Sequence, residues 1–167
     1  MTATVNHPAP AFTAQAVMSD GSTQEVSLDD YKGQNVVLFF YPKDFTFVCP
    51  SEIIAFDHRL GEFEKRGAQV LGVSIDDAES HANWRNTAVE EGGIGSVGYP
   101  LLCDEDRAMT NAYGLLHEDT TFALRGTFLI DGDGVLQSAT VNNLPIGRDI
   151  DETLRLLDAM AHAATGA

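Results

Sequence analysis

Asn35–Glu52 reads NVVLFFYPKDFTFVCPSE, and its two ends follow different rules. Asn35–Phe40 is a nearly continuous run of β-branched and aromatic residues, the pattern of a strand covered on both faces. From Ser51 to Lys65 the apolar residues Ile54, Phe56, Leu60 and Phe63 fall at helical spacing. A buried strand therefore runs through a short loop into a helix. Pro50 suits an early helical position, because its missing N–H has no intrahelical partner there. Cys49 is predicted in the first turn of that helix.

Outward from this stretch, strands are predicted at Phe12–Val17, Gln69–Ile75, Thr127–Ile130 and Val135–Val141, and helices at Ala78–Glu90, Arg107–Tyr113 and Ile150–Ala164. Their alternation is an α/β pattern. Gln69–Ile75 is as apolar as Asn35–Phe40, so a central sheet with helices on each side is expected. Asp131–Gly134, DGDG, joins two strands as a tight hairpin, since Gly and Asp tolerate positive φ. The sheet is thus mixed, parallel in part and antiparallel toward the C-terminus. Ile150, Leu154, Leu157 and Met160–Ala161 form the stripe by which the last helix packs on it. The 167 residues, 44% of them hydrophobic, suit one domain spanning 1–167, without repeat or linker.

The 25 acidic residues against 10 basic ones give a net charge of -15. That excess repels phosphate backbones and anionic lipid at long range, which argues against nucleic acid and membrane partners. The N-terminal MTATVNHPAPAF lacks a basic segment followed by an apolar run, and no stretch approaches bilayer length, so the chain reads as cytoplasmic. His7, His58, His81, His117 and His162 lack metal-ligand spacing and read as structural or surface residues. Two cysteines, Cys49 and Cys103, are too few for a disulfide scaffold.

At a helix N-terminus, unpaired N–H groups and the positive end of the dipole favour an anion, and thiolates there are more acidic. A free thiol of pKa about 8.5 is about 3% thiolate at pH 7, and one of pKa about 6 is roughly 90%. The difference corresponds to roughly 3.4 kcal/mol, of which an exposed dipole supplies about 0.3 to 1 kcal/mol. A cation or strong donors must add the rest, and Arg125 is the candidate. The alternative is that Cys49 is a small buried hydrophobe.

FFYPKDFTFVCPSE resembles the signature of the peroxiredoxins, with Pro42, Thr46 and Cys49 at the family's spacing. The similarity is to the group that includes the alkyl hydroperoxide reductase peroxidase subunit and the typical two-cysteine enzymes. GVSIDD at Gly72–Asp77, HANWRNT at His81–Thr87, GGIG at Gly92–Gly95, YPLLCD at Tyr99–Asp104, ALRGTFLID at Ala123–Asp131 and VNNLPIGR at Val141–Arg148 extend it along nearly the whole chain. The resemblance implies a thioredoxin-like fold with an N-terminal extension. It implies reduction of hydrogen peroxide and organic hydroperoxides without metal or other cofactor, and a homodimer or decamer.

By the same resemblance Cys49 is the peroxidatic cysteine that becomes a sulfenic acid. Thr46 hydrogen-bonds thiolate and peroxide, Pro42 shields the site, Arg125 stabilises the charge, and Glu52 and Arg148 form a supporting ion pair. Apart from the family, Thr46 reads as a turn residue, the arginines as surface charges and Glu52 as a favourable first-turn acid. Trp84 packs near the pocket or in the core. Typical members carry a resolving cysteine in a C-terminal Val-Cys-Pro context; Leu157–Ala167 holds none. With Cys103 read as packing, a one-cysteine mechanism is expected, in which a thioredoxin-like protein, flavoprotein reductase or small thiol regenerates Cys49. The alternatives are a noncatalytic chaperone-like ring scaffold, and a disulfide oxidoreductase with Cys103 as resolving partner.

Overall fold

In the computed structural model, residues 3–45 and 49–164 are described, the side chain of Cys49 excepted. The strands are β1 Thr13–Val17, β2 Thr23–Ser27, β3 Asn35–Phe40, β4 Ala68–Ser74, β5 Leu101–Cys103, β6 Arg125–Ile130 and β7 Leu136–Asn142. The α-helices are α1 Cys49–His58, α2 Leu60–Lys65, α3 Ala78–Arg85, α4 Ala108–Ala112 and α5 Ile150–Ala164. The strands form one mixed sheet in the order β2-β1-β5-β4-β3-β6-β7. β3, β4 and β5 are parallel neighbours, while β6 runs antiparallel to β3 and β7 antiparallel to β6.

The apolar run of β3 follows from its central place. Val37 and Phe39 join one core cluster, with Ile53 and Phe56 of α1, Phe63 of α2, Trp84 of α3 and Leu154 and Leu157 of α5. Val36, Leu38 and Phe40 join the cluster on the opposite face, with Met109, Tyr113 and Phe128. Alternate side chains of one strand thus feed two cores. Phe39 stacks on Phe56 with ring centroids 4.2 Å apart, which seats α1 directly on β3. Gly72, the β4 residue opposite Phe39, makes room for that ring: a Cβ there would lie 2.9 Å from Phe39 Cζ. The Tyr99 hydroxyl donates to the Ile53 carbonyl at 2.6 Å and fixes α1 from the other side.

The α/β expectation and the hairpin at Asp131–Gly134 agree with the structure, with Gly134 at φ 82°. Several bounds differ. The helix expected over Ser51–Lys65 is divided at Arg59, which holds ψ 8°, although Arg59 N–H still reaches the Ala55 carbonyl at 3.2 Å. The helix expected over Ala78–Glu90 stops at Arg85, and a short 3₁₀ turn follows at Val89–Glu91. β2 and β5 were not expected. β2 is a polar edge strand whose alternation is weak, and β5 is three residues long, below the length at which a pattern forms.

Candidate active site

The parallel pair β3 and β4 ends on the side where the chain enters Tyr41–Pro42, and Pro42 is buried there. Because β6 is antiparallel to β3, its first residue, Arg125, lies at that same end: the pairing Phe39↔Thr127 puts Arg125 beyond Phe39, toward Pro42. α1 begins at Cys49, as expected, and Glu52 occupies its first turn. Thr46 falls outside the described residues, and so does the Cys49 side chain.

Glu52, Arg125 and Arg148 come together below the start of α1. Arg148 Nε donates to Glu52 Oε2 at 2.8 Å, and an Arg125 terminal nitrogen donates to the same oxygen at 3.3 Å. All three side chains are at most 6% exposed. Arg125 Nε also donates to the Leu144 carbonyl at 2.7 Å. Arg148 donates to the Gly126 carbonyl at 2.9 Å and to Thr127 Oγ1 at 3.1 Å, and its backbone N–H reaches Glu52 Oε1 at 3.2 Å. Its guanidinium lies over the Phe39 ring, 5.3 Å from the centroid. Two guanidiniums against one carboxylate add positive potential to the end of the helix where the dipole is already positive. Such a pocket favours a thiolate and the negative charge that develops when an oxygen leaves.

Trp84 is fully buried in the core, and its Nε1 donates to the Gly92 carbonyl at 3.0 Å. Its ring also lies 5.8 Å from that of Phe45, the last described residue of the loop. It is therefore both core and neighbour of the loop. Cys103 ends β5 and is 8% exposed. Among the described residues no group of three His, Cys, Asp or Glu side chains is arranged to hold a metal, and no helix is long and apolar enough to cross a membrane.

Sequence reasoning took His81 as a structural or surface residue and did not single out Asp44 or their pairing. Asp44 is 1% exposed and His81 fully buried, and His81 Nδ1 lies 2.7 Å from Asp44 Oδ2. Asp44 sits two residues before Thr46 and His81 three before Trp84. An acid inside so apolar a segment as YPKDFTF was the available signal, since a buried carboxylate requires a partner.

The AhpC/TSA family profile matches residues 5–139. Peroxiredoxin-2 of Bos taurus is 54% identical over 158 residues, covering 95% of this chain and 79% of that protein. A thioredoxin peroxidase of Echinococcus granulosus is 51% identical over 159 residues, covering 95% and 82%. The crystal structure of reduced Plasmodium vivax 2-Cys peroxiredoxin superposes with a TM-score of 0.94 at 44% identity, over 96% of this chain and 83% of that one. With that extent of match, on a thioredoxin-like sheet beside which Glu52, Arg125 and Arg148 converge where α1 begins, the chain belongs to the AhpC/TSA family and is a peroxiredoxin.

Proposed function

We propose that Cys49 is the peroxidatic nucleophile of a thiol-dependent peroxidase that reduces hydrogen peroxide and organic hydroperoxides. The observation that carries this reading is the buried Glu52–Arg125–Arg148 cluster under the first turn of the helix that Cys49 begins. The Cys49 thiolate attacks one peroxide oxygen. The S–O bond forms as the O–O bond breaks, the sulfur loses two electrons, and the departing oxyanion takes a proton and leaves as water or an alcohol. In this reading Arg125 stabilises thiolate and leaving oxygen, Thr46 hydrogen-bonds both, and Pro42 keeps water out. Glu52 and Arg148 hold the arginine pair in place.

The sulfenic acid is then resolved from outside. A thioredoxin-like protein, flavoprotein reductase or small thiol attacks the sulfur, releasing water and forming a mixed disulfide that a second thiol opens. The burial of Cys103 at the end of β5, with β4 between it and β3, supports this one-cysteine route. Assembly as a homodimer or decamer, and residence in the cytoplasm, belong to the same proposal and are checked by sedimentation and cell fractionation.

Stopped-flow mixing with stoichiometric hydrogen peroxide, followed by Trp84 fluorescence, tests the first half. Oxidation far faster than that of a free thiol, abolished by Cys49→Ser, is expected; a rate no faster than a free thiol's sinks it. Mass spectrometry after one equivalent of peroxide tests the second half. A sulfenic acid trapped at Cys49 supports it, and a Cys49–Cys103 disulfide overturns it.

A further inference from the structure

The end of the sheet that holds the site gathers exposed acids around a single lysine. β3, β4 and β5 are parallel, so the residues that follow them share that end, and so does the segment that enters the antiparallel β6. Asp77 and Glu79 follow β4, Glu105 and Asp106 follow β5, and Glu118 and Asp119 lie in the turn before β6. All six are exposed. Of the three lysines in the chain, Lys32 and Lys65 come just before β3 and β4, which puts them at the opposite end. Lys43, exposed and next to Pro42, stands at the acidic end.

The structure gives Lys43 a defined seat. Its Nζ lies over the Phe122 ring, 5.9 Å from the centroid. Phe122 is half-buried, and its carbonyl accepts from the His117 N–H at 2.9 Å in the hairpin closed by the bridge between Leu116 and Ala123. The contact therefore spans the two segments that carry Pro42 and Arg125. The other cations near this end are committed elsewhere: Arg107 donates to the carbonyls of Glu105 and Thr121, and Arg125 and Arg148 are buried against Glu52.

A protein of net charge -15 repels anions as they approach. A peroxide that carries a carboxylate meets that field before it meets the buried arginines. An exposed ammonium at the rim offsets the repulsion locally, and the half-buried ring beside it offers apolar surface. We propose that Lys43, seated on Phe122, is a specificity-determining residue that recruits organic hydroperoxides bearing a carboxylate on an apolar body. The inference rests on the reading of Cys49 as nucleophile. The ammonium pairs with the carboxylate at the rim and leaves the O–O group to the pocket, so an uncharged peroxide gains nothing from it.

The test uses cumene hydroperoxide carrying a para carboxylate and the methyl ester of the same compound, two substrates alike in shape and different in charge. The quantity read, by stopped flow at low ionic strength, is the ratio of their rate constants for oxidation of the protein, acid over ester. Lys43→Gln is expected to lower the ratio by about 3- to 5-fold, the upper range for an exposed ion pair. Lys43→Glu, which turns attraction into repulsion, is expected to lower it by about 10- to 25-fold. Lys43→Arg keeps the charge and should keep the ratio within about 1.5-fold of the parent. At about 1 M salt the difference between the parent and Lys43→Gln should vanish.

A ratio in Lys43→Gln within about 1.5-fold of the parent would overturn the proposal. So would an equal fall in Lys43→Arg, or a difference that persists at high salt. Slowing of acid and ester by one common factor leaves the ratio unchanged, makes the contact with Phe122 purely architectural, and overturns the proposal as well. Failure of the underlying reading has a different signature, a Cys49→Ser protein that still consumes both peroxides at the parent rate.

Discussion

Arg148 Nε donates to Glu52 Oε2 at 2.8 Å, and this bond fastens the segment before α5 to the first turn of the helix that starts at Cys49. The same oxygen takes a second donor from Arg125 at the head of β6. One buried carboxylate therefore sets the spacing of two guanidiniums that come from different parts of the fold. It also offsets part of their charge, so that neither is left uncompensated in the core.

Glu52→Gln should consequently destabilise the protein. Removing one partner from a buried ion pair costs about 3 to 5 kcal/mol, because the remaining charge stays desolvated. The expected outcome is a lower urea midpoint at an unchanged slope of free energy on denaturant. Peroxide oxidation should slow as well, since the arginines lose their common anchor. A midpoint equal to that of the parent would contradict the structural role given to Glu52.

Arg125→Lys keeps a positive charge and loses the planar fork. A lysine cannot serve both the Leu144 carbonyl and Glu52 in the present geometry. Peroxide oxidation is expected to fall by roughly 100-fold, the usual effect of removing a donor aimed at developing negative charge. If Arg125 is the cation proposed to stabilise Cys49, Arg125→Ala should also raise the pH at which the thiolate titrates. Thiolate absorbance against pH checks this, and an unchanged titration would remove Arg125 from the site.

The loop at Gly92–Gly95 gives a prediction about shape. A Cβ at Gly93 would lie 2.0 Å from the Thr87 carbonyl oxygen, backbone that cannot swing aside. Gly92 has open space at that position but holds φ 89°. Gly93→Ala should therefore cost more than Gly92→Ala. The first is a steric clash of at least about 1 to 3 kcal/mol, and the second a backbone penalty of about 1 to 2 kcal/mol. Because the Gly92 carbonyl accepts from Trp84 Nε1, Gly93→Ala should also shift the emission of Trp84, the only tryptophan in the chain. Thermal unfolding with fluorescence detection reads both effects.

These residues mark how far the amino-acid order can be read. Val36–Phe40 was legible as a two-faced strand because hydrophobicity alone dictates it, and the helix start at Cys49 because Pro50 and the following apolar spacing punctuate the chain. Arg125, Glu52 and Arg148 were legible through resemblance, since nothing in their local patterns brings residues 52, 125 and 148 together. That convergence depends on β6 running antiparallel to β3, a property of the sheet. β5 is a strand through its pairing with β4 and β1, and three residues carry no periodicity of their own. Asp44 and His81 lie 37 residues apart and meet through the packing of α3 on the sheet, so their pairing has no linear signature.

The buried His81–Asp44 pair predicts how stability depends on pH, since His81 Nε2 donates to the Leu102 carbonyl at 2.9 Å while Nδ1 faces the Asp44 carboxylate, an arrangement that favours the charged ring. Burial alone would lower the pKa of His81. The hydrogen bond and charge of Asp44, helped by Cys103, outweigh it and raise the value from 6.5 to about 10. The folded protein thus binds the proton more tightly than the unfolded chain, and the stabilisation is fully present below about pH 6.5. It declines as pH rises, by at most about 1.4 kcal/mol per unit, and is lost through about pH 10. Burial holds Tyr41 and Tyr99 protonated well past their usual range, so their contribution to the loss begins above that window. In His81→Gln the decline between pH 7 and pH 9 should be much shallower. Urea unfolding of both proteins at these two pH values makes the comparison, and parallel declines would mean that the ring is not charged in the folded state.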